Sequence, residues 1–359
     1  MSDEKALLAA IWEHPHEDTP RLAYADWLEE NGQPEQAEFI RLQCELAQFD
    51  EWWGLDDAPA TQKQREQELW RKWRTRWRSY LPRERRTCTF HRGFPMFEMS
   101  YPRFRDLLKL TVADLEYAPL MRYHGVFGGR ALQEMLKWPG LRFQLEFMPS
   151  SPLPKGWVKK VAACDNLRNV SELDLHECEL KPAELRMLLD AWADRHLTHL
   201  SLPRKSGDEL LAVLASHPTA AKIRLLGVPT GKVTIAGIRS LCSSRPLAQV
   251  KMFDLHCPIG DAGLEELLRW RHLSGIRGLR LCDAKLTDAG AVALAECPAL
   301  AELRVLVLVS NSIDVDGCRA LARSPHLNRL FVLRLDANPG IRKLAVRKEL
   351  KARFGKAME

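Results

Sequence analysis

Val170-Ser-Glu-Leu-Asp-Leu-His-Glu-Cys-Glu-Leu180 and Leu303-Arg-Val-Leu-Val-Leu-Val-Ser-Asn-Ser-Ile313 share one pattern. Apolar residues hold the first, fourth, sixth and eleventh places, and Cys or Asn holds the ninth. Alternation over the middle three apolar-polar-apolar places suits a short strand buried on one side. The Asn or Cys at the ninth place can satisfy backbone groups where the chain turns away.

Weaker copies follow the same spacing: Leu197, Leu200 and Leu202; Ile223 and Leu225; Val250, Phe253 and Leu255; Ile276, Leu279, Leu281 and Leu286; Leu330, Leu333, Leu335 and Asn338. Taking the second strand residue as a marker gives positions 175, 202, 225, 255, 281, 308 and 335, at intervals of 27, 23, 30, 26, 27 and 27. The period and pattern are those of leucine-rich repeats. Each strand leads into an apolar-faced helical stretch, such as Leu286–Leu300 with Asp288 as expected N-cap, or Ile259–Trp270 with Asp261 in that place. A single unit leaves its leucines wet, so the units must stack. The expected fold is an α/β leucine-rich-repeat solenoid, parallel strands on the concave face and helices outside. A doubly wound nucleotide-binding sheet also alternates strand and helix. It lacks a fixed residue template, however, and no phosphate-binding glycine motif is present.

Outward from this array the organisation is read as a helical module over 1–50, a basic aromatic connector helix over 51–87, the solenoid over 88–340 and a capping helix over 341–359. Leu145 lies thirty residues before Leu175, and "FHRGFPMFEMS" and "YHGVFGGRALQEML" are read as degenerate early repeats. In the cap, Leu344, Leu350 and Phe354 are expected to cover the last core layer.

The first fifty residues contain three helical patterns. Arg21-Leu-Ala-Tyr-Ala-Asp-Trp-Leu-Glu-Glu30, then Gly32 and Glu38-Phe-Ile-Arg-Leu-Gln43, resemble the bacterial repeat-companion domain, a module that precedes leucine-rich or similar repeats. The likeness covers residues 3–48, departs from the expected pattern at Gln33-Pro34, and extends to the closing "LKARFG". It implies an architecture and a bacterial setting, and transfers no activity to any residue.

Net charge is +6 over 359 residues but unevenly spread. Residues 1–60 hold 3 Lys/Arg against 15 Asp/Glu, net −12; residues 63–86 hold 10 against 3, net +7. Such asymmetry implies charged partners, some of them within the chain. Nine cysteines without a Cys-x-x-Cys pair read as reduced thiols. No run of eighteen apolar residues exists, and the acidic start differs from a secretory signal, so a cytoplasmic protein without membrane attachment is expected.

Two functional readings compete. In the first, the concave face binds a macromolecule, foremost a protein, through Lys222, Arg224, Asp254, His256, Arg280, Val305, Val307, Val309 and Arg334. Period two places these residues on the solvent side, and the three valines mark either an apolar binding centre or a strand covered by the terminal helix. In the second, the stretch Leu69–Arg86 binds nucleic acid, with Arg71, Arg74 and Arg78 on phosphates and Trp73 and Trp77 stacked on bases. Aromatics at Trp70, Trp73, Trp77 and Tyr80 fall on one helical face, and the preferred reading is that this face packs on the first repeat or the small helical bundle while the arginines stay in solvent or meet the acidic module. No nucleophile motif, His-Glu-x-x-His or phosphate loop accompanies the carboxylate–histidine pairs Asp174/His176 and Asp254/His256. No catalytic residue, metal, cofactor or small-molecule substrate is therefore assigned, and the protein is expected not to be an enzyme.

Overall fold

A computed structural model describes residues 3–47, 59–79, 88–100, 120–124, 129–149, 152–229 and 231–358. The chain forms two units, Met1–Trp52 with Asp56–Leu173, and Trp53–Leu55 with Asp174–Glu359. The boundary falls inside the strand Glu172–Asp174.

In the second unit six strands follow one another: β1 (His199–Ser201), β2 (Leu225–Val228), β3 (Met252–Leu255), β4 (Gly278–Leu281), β5 (Val305–Val307) and β6 (Val332–Arg334). All pair in parallel, and their order across the sheet is their order along the chain. Each connection contains a helix: α1 (Asp208–Ser216), α2 (Ile235–Ser243), α3 (Gly260–Leu268), α4 (Asp288–Glu296) and α5 (Val315–Arg323). This is the leucine-rich-repeat α/β solenoid. Its core is the pair of leucine columns. Leu200, Leu226, Phe253, Leu279, Leu306 and Leu333 are at most 1% exposed, and Leu202, Val228, Leu255, Leu281 and Leu308 are fully buried.

One register differs from the sequence expectation. In the third copy Leu226 is the first buried strand residue and Val228 the second, while Leu225 faces out. With Val228 as marker the intervals become 27, 26, 27, 26, 27 and 27. The apparent irregularity came from taking Ile223 and Leu225 as the strand pair, when the pair that fits the pleat lies three residues on, at Leu226 and Val228.

Two sets of polar contacts link neighbouring repeats. The Asn311 amide donates to Leu281 O (2.7 Å) and Leu308 O (2.9 Å) and accepts from Leu286 N (3.0 Å). Asn338 repeats this one unit later with Leu308 O, Leu335 O and Ile313 N. On the helical side, carboxylates reach forward. Asp208 accepts from Thr234 N and Oγ1, Asp261 from Thr287 N and Oγ1, and Asp288 from Asp314 N and Gly317 N. The N-caps are accordingly Thr287, Thr234 and Asp314; Asp288 and Asp261 are not caps but links to the following repeat. Space for those carboxylates requires glycine. A methyl at Gly237 would lie 2.3 Å from Asp208 Oδ1, and one at Gly290 2.3 Å from Asp261 Oδ1.

The closing helix α6 (Leu344–Phe354) buries Val346 and Leu350. Leu344, expected in the cap, is 66% exposed. It lies two residues before Val346, about 200° round the helix and so on the face opposite the stripe that Val346 and Leu350 share four residues apart. The turn Gly355–Met358 lies against β6 and covers that edge of the sheet.

The first unit joins the helices α7 (Asp3–Glu13), α8 (Thr19–Glu30), α9 (Pro34–Leu46) and α10 (Ala60–Ser79) to one three-stranded sheet; its strands Glu146–Phe147 and Glu172–Asp174 belong to the eight-stranded sheet of the solenoid. Strands Cys88–His91 and Phe94–Ser100 form an antiparallel hairpin, not the degenerate repeat expected there. Arg92 and Gly93 both have positive φ, 51° and 85°, as a two-residue hairpin turn demands. Strand Leu120–His124 then pairs in parallel with Phe94–Ser100, and Glu146–Phe147 with Glu172–Leu173.

The hairpin turn is held by the acidic helices. Gly93 N donates to Gln43 Oε1 at 2.7 Å, and a methyl at Gly93 would sit 2.6 Å from the Ile40 side chain. Phe94 meets Trp12 edge-on at 5.1 Å, Phe90 meets Phe39 at 5.0 Å, and Arg92 pairs with Asp18. Beneath lies Arg21, fully buried, donating to Glu17 O and Pro15 O and lying over the Phe94 ring. Burial pushes its pKa down to about 10, against the raising influence of Cys44 and Asp18 nearby.

Candidate interaction surface

The outward residues of β1 to β6 stand in two columns fixed by the strand register. One runs His199, Leu225, Met252, Gly278, Val305, Val332; the other runs Ser201, Gly227, Asp254, Arg280, Val307, Arg334. The second column carries the charge. Asp254 sits between two cations, with His256 Nε2 2.8 Å from its Oδ1 and Arg280 Nη1 3.2 Å from its Oδ2. The His256–Asp254 contact is an ion pair. These three side chains are 21–29% exposed. Asp254, foremost, and then the Cys282 thiol push the His256 pKa up to about 10, more than burial pulls it down, so the ring is cationic at neutral pH.

At one end of this face Asp174 holds His176, with Nδ1 2.7 Å from Oδ1, and Glu177 bridges His176 and Arg204. Asp174 likewise raises the His176 pKa. At the other end Arg334 Nε pairs with Asp336 at 2.7 Å, both more than half exposed.

The expected site residues are only partly gathered here. Asp254, His256, Arg280 and Arg334 lie on the strand face as expected. Val305 and Val307 do not offer an open apolar patch: they are 2% and 8% exposed, clustered with Cys282, and Val309 and Val332 pack against them. Lys222 and Arg224 precede β2 instead of lying in it, because the inward pair of that repeat sits three residues later than the sequence pattern placed it. Lys222 donates to the carbonyls of Ala193 and Arg195, and Arg224 Nη1 approaches Gln249 O at 3.4 Å.

Arg224 belongs to a pattern that the sequence reading missed. Just before each strand the backbone ladder continues by one rung: Arg224 N donates to Thr198 O, Lys251 N to Arg224 O, Arg277 N to Lys251 O, Arg304 N to Arg277 O and Phe331 N to Arg304 O, each at 2.7 Å. Four successive rungs therefore carry a basic side chain, all half-buried. The signal was legible as a Lys or Arg two places before the first buried strand residue in four consecutive copies.

On the connector helix α10, Lys72 pairs with Glu35 and Arg65 with Glu38 on α9, so part of its charge meets the acidic module. Arg71 is exposed. Trp73, Arg74, Trp77 and Arg78 lie in the helix, but their side chains, and residues 80–86, fall outside the described residues.

Among the described residues no group of three or more His, Cys, Asp or Glu side chains could hold a metal ion, and no helix is long and apolar enough to cross a membrane. Cys44, Cys164, Cys178, Cys242, Cys257, Cys282, Cys297 and Cys318 are free thiols. Burial pushes the thiol pKa of Cys178 and Cys257 up to about 12.

No family model matches the chain, and no curated protein matches it. Among solved structures it is similar to an internalin of Listeria monocytogenes, at 16% identity and a TM-score of 0.36, over 67% of this chain and 68% of that one. It is also similar to a chain of the Toll–Spatzle complex of Drosophila, at 11% identity and a TM-score of 0.24, over 68% of this chain and 50% of that one.

Proposed function

We propose that the second unit binds another protein across the outward face of its strands and carries out no chemistry of its own. The observation that supports this reading most is the column Asp254, Arg280, Val307, Arg334. It sets three charged side chains, Asp254, Arg280 and Arg334, on a parallel sheet with the buried Val307 between the two arginines, each held in register by backbone hydrogen bonds. Arg280 and Arg334 are the expected anchors, since a guanidinium can engage a partner carboxylate through two donors. The first three helices act as a repeat-companion module, and the free thiols support a cytoplasmic setting in a bacterium. Nucleic-acid binding through α10 is less favoured, because Lys72 and Arg65 on that helix already meet carboxylates of the same chain.

The test is affinity capture from the native cell with wild-type protein and an Arg280→Glu/Arg334→Glu variant, each checked for an unchanged melting temperature. Loss of a specific captured protein in the variant supports the reading. Equal capture, or recovery of nucleic acid that survives in the variant and disappears in Arg74→Ala/Arg78→Ala, overturns it.

A further inference from the structure

The six connectors that lead from helix to strand in the second unit, residues 192–198, 217–224, 244–251, 269–277, 297–304 and 324–331, hold 10 Lys/Arg against 2 acids, Asp194 and Glu302. The whole chain is only +6, so this one side of the solenoid is far more basic than the rest. Glu302 is already engaged by Arg329. Within the connectors the charge is ordered. Arg224, Lys251, Arg277 and Arg304 occupy successive rungs of one backbone ladder, and a fifth rung carries Phe331, 60% exposed. Two of the guanidiniums lean on nearby carbonyls, Arg224 Nη1 on Gln249 O and Arg277 Nη1 on Ser274 O and Ile276 O, which holds them beside the ladder. A partner that presents carboxylates at the spacing of the rungs is complementary to this row.

We infer that these rungs form a docking strip for an acidic helix of a partner protein. The choice of a helix follows from spacing. Neighbouring parallel strands stand about 4.8 Å apart. Side chains three and four residues apart on a helix recur at about 5–6 Å, close to that step. Side chains on one face of an extended strand recur only every ~6.6 Å, and fall out of phase within a few rungs. A helix laid along the strip with Glu at steps of four, three and four residues sets one carboxylate against each of Arg224, Lys251, Arg277 and Arg304. The next step sets an apolar side chain against Phe331. Three of the four cations are arginines, which take a carboxylate through two parallel hydrogen bonds. The strip deepens the protein-binding reading above and rests on it.

The experiment is a fluorescence-anisotropy titration of the full chain with a fluorescein-labelled helical peptide bearing four Glu at that spacing and a Leu one step beyond. Wild type binds, and binding weakens as salt rises. Arg224→Gln/Arg277→Gln should lose about tenfold or more in affinity, while Arg186→Gln/Arg347→Gln, which removes the same charge from exposed helix positions, should stay within about twofold. A scrambled peptide of equal composition should bind at least about fivefold more weakly than the spaced one. A peptide with Lys in place of Glu, which needs no variant, should not bind.

Equal loss in both variants, equal binding of the scrambled peptide, or displacement of the acidic peptide by a single-stranded oligonucleotide at lower concentration each overturns the strip. Failure of the peptide while Arg280→Glu/Arg334→Glu still abolishes partner capture removes only the strip. Unchanged capture in that variant removes the wider reading.

Discussion

Replacing Asn311 by Ala tests whether the repeats are held together by polar wiring as well as by leucines. The Asn311 side chain is 7% exposed and makes three backbone hydrogen bonds, to Leu281 O, Leu308 O and Leu286 N, which span two repeats. Alanine supplies none of them, and water cannot reach the groups left behind. At about 1 kcal/mol for each lost bond, rising where a buried group is orphaned, the expected cost is about 3–5 kcal/mol. Single domains are stable by only about 5–15 kcal/mol, so this is a large share. In urea, at a slope of about 3 kcal/mol/M, the midpoint should fall by about 1 M or more. Far-UV circular dichroism reads the transition. Asn311→Asp keeps an acceptor for Leu286 N but points carboxylate oxygen at two carbonyls, and should be no better than alanine. A loss below about 1 kcal/mol for Asn311→Ala would refute the reasoning, because it would mean that the ladder of turns closes without its amides.

Gly290→Ala should destabilise by about 1–3 kcal/mol, since the added methyl meets Asp261 Oδ1 and breaks its link to Thr287; Asp261→Ala in the same background should then cost little more, as a double-mutant cycle in urea would show. Arg21→Ala should cost about 3–5 kcal/mol and loosen the hairpin turn at Gly93, seen as faster amide exchange there, because a buried guanidinium with two carbonyl acceptors is removed from beneath Phe94. His256 should remain protonated through pH 8 by ring 15N chemical shifts, and Asp254→Asn should return its titration toward the usual histidine range. Its folded pKa lies above the unfolded value, so its stabilisation is complete below about pH 6.5 and is lost as pH rises through about 10. The stability gap between wild type and Asp254→Asn should therefore narrow across that window.

The solenoid was legible because burial forces leucine into fixed places, and seven copies of a spacing outweigh any single ambiguous residue. Where the reading slipped, local context was degenerate. Ile223-x-Leu225 and Leu226-x-Val228 both offer an alternating apolar pair, and only strand pairing chooses the second. The valines of β5 could not be placed from sequence, since alternation says which way Val305 and Val307 point but not what covers them. The hairpin at 88–100 was missed because its signal is short. Arg92-Gly93 is a weaker turn marker than Asn-Gly, and the non-glycine residue at φ 51° is held there by its pairing with Asp18. The basic rungs were visible as residues but not as a row, because a column across strands exists only once every register is right.

Each Asp on the helical side reaches a donor 26 residues further on, or 26 and 29 for Asp288, and each Asn reaches back to a carbonyl 30 residues behind. No described link of these two kinds skips a turn. A turn can therefore be copied or excised whole, between equivalent points such as Leu281 and Leu308, without leaving a broken contact on either side of the splice. The protein's reach can thus change by whole increments while the chemistry of every surviving increment stays the same.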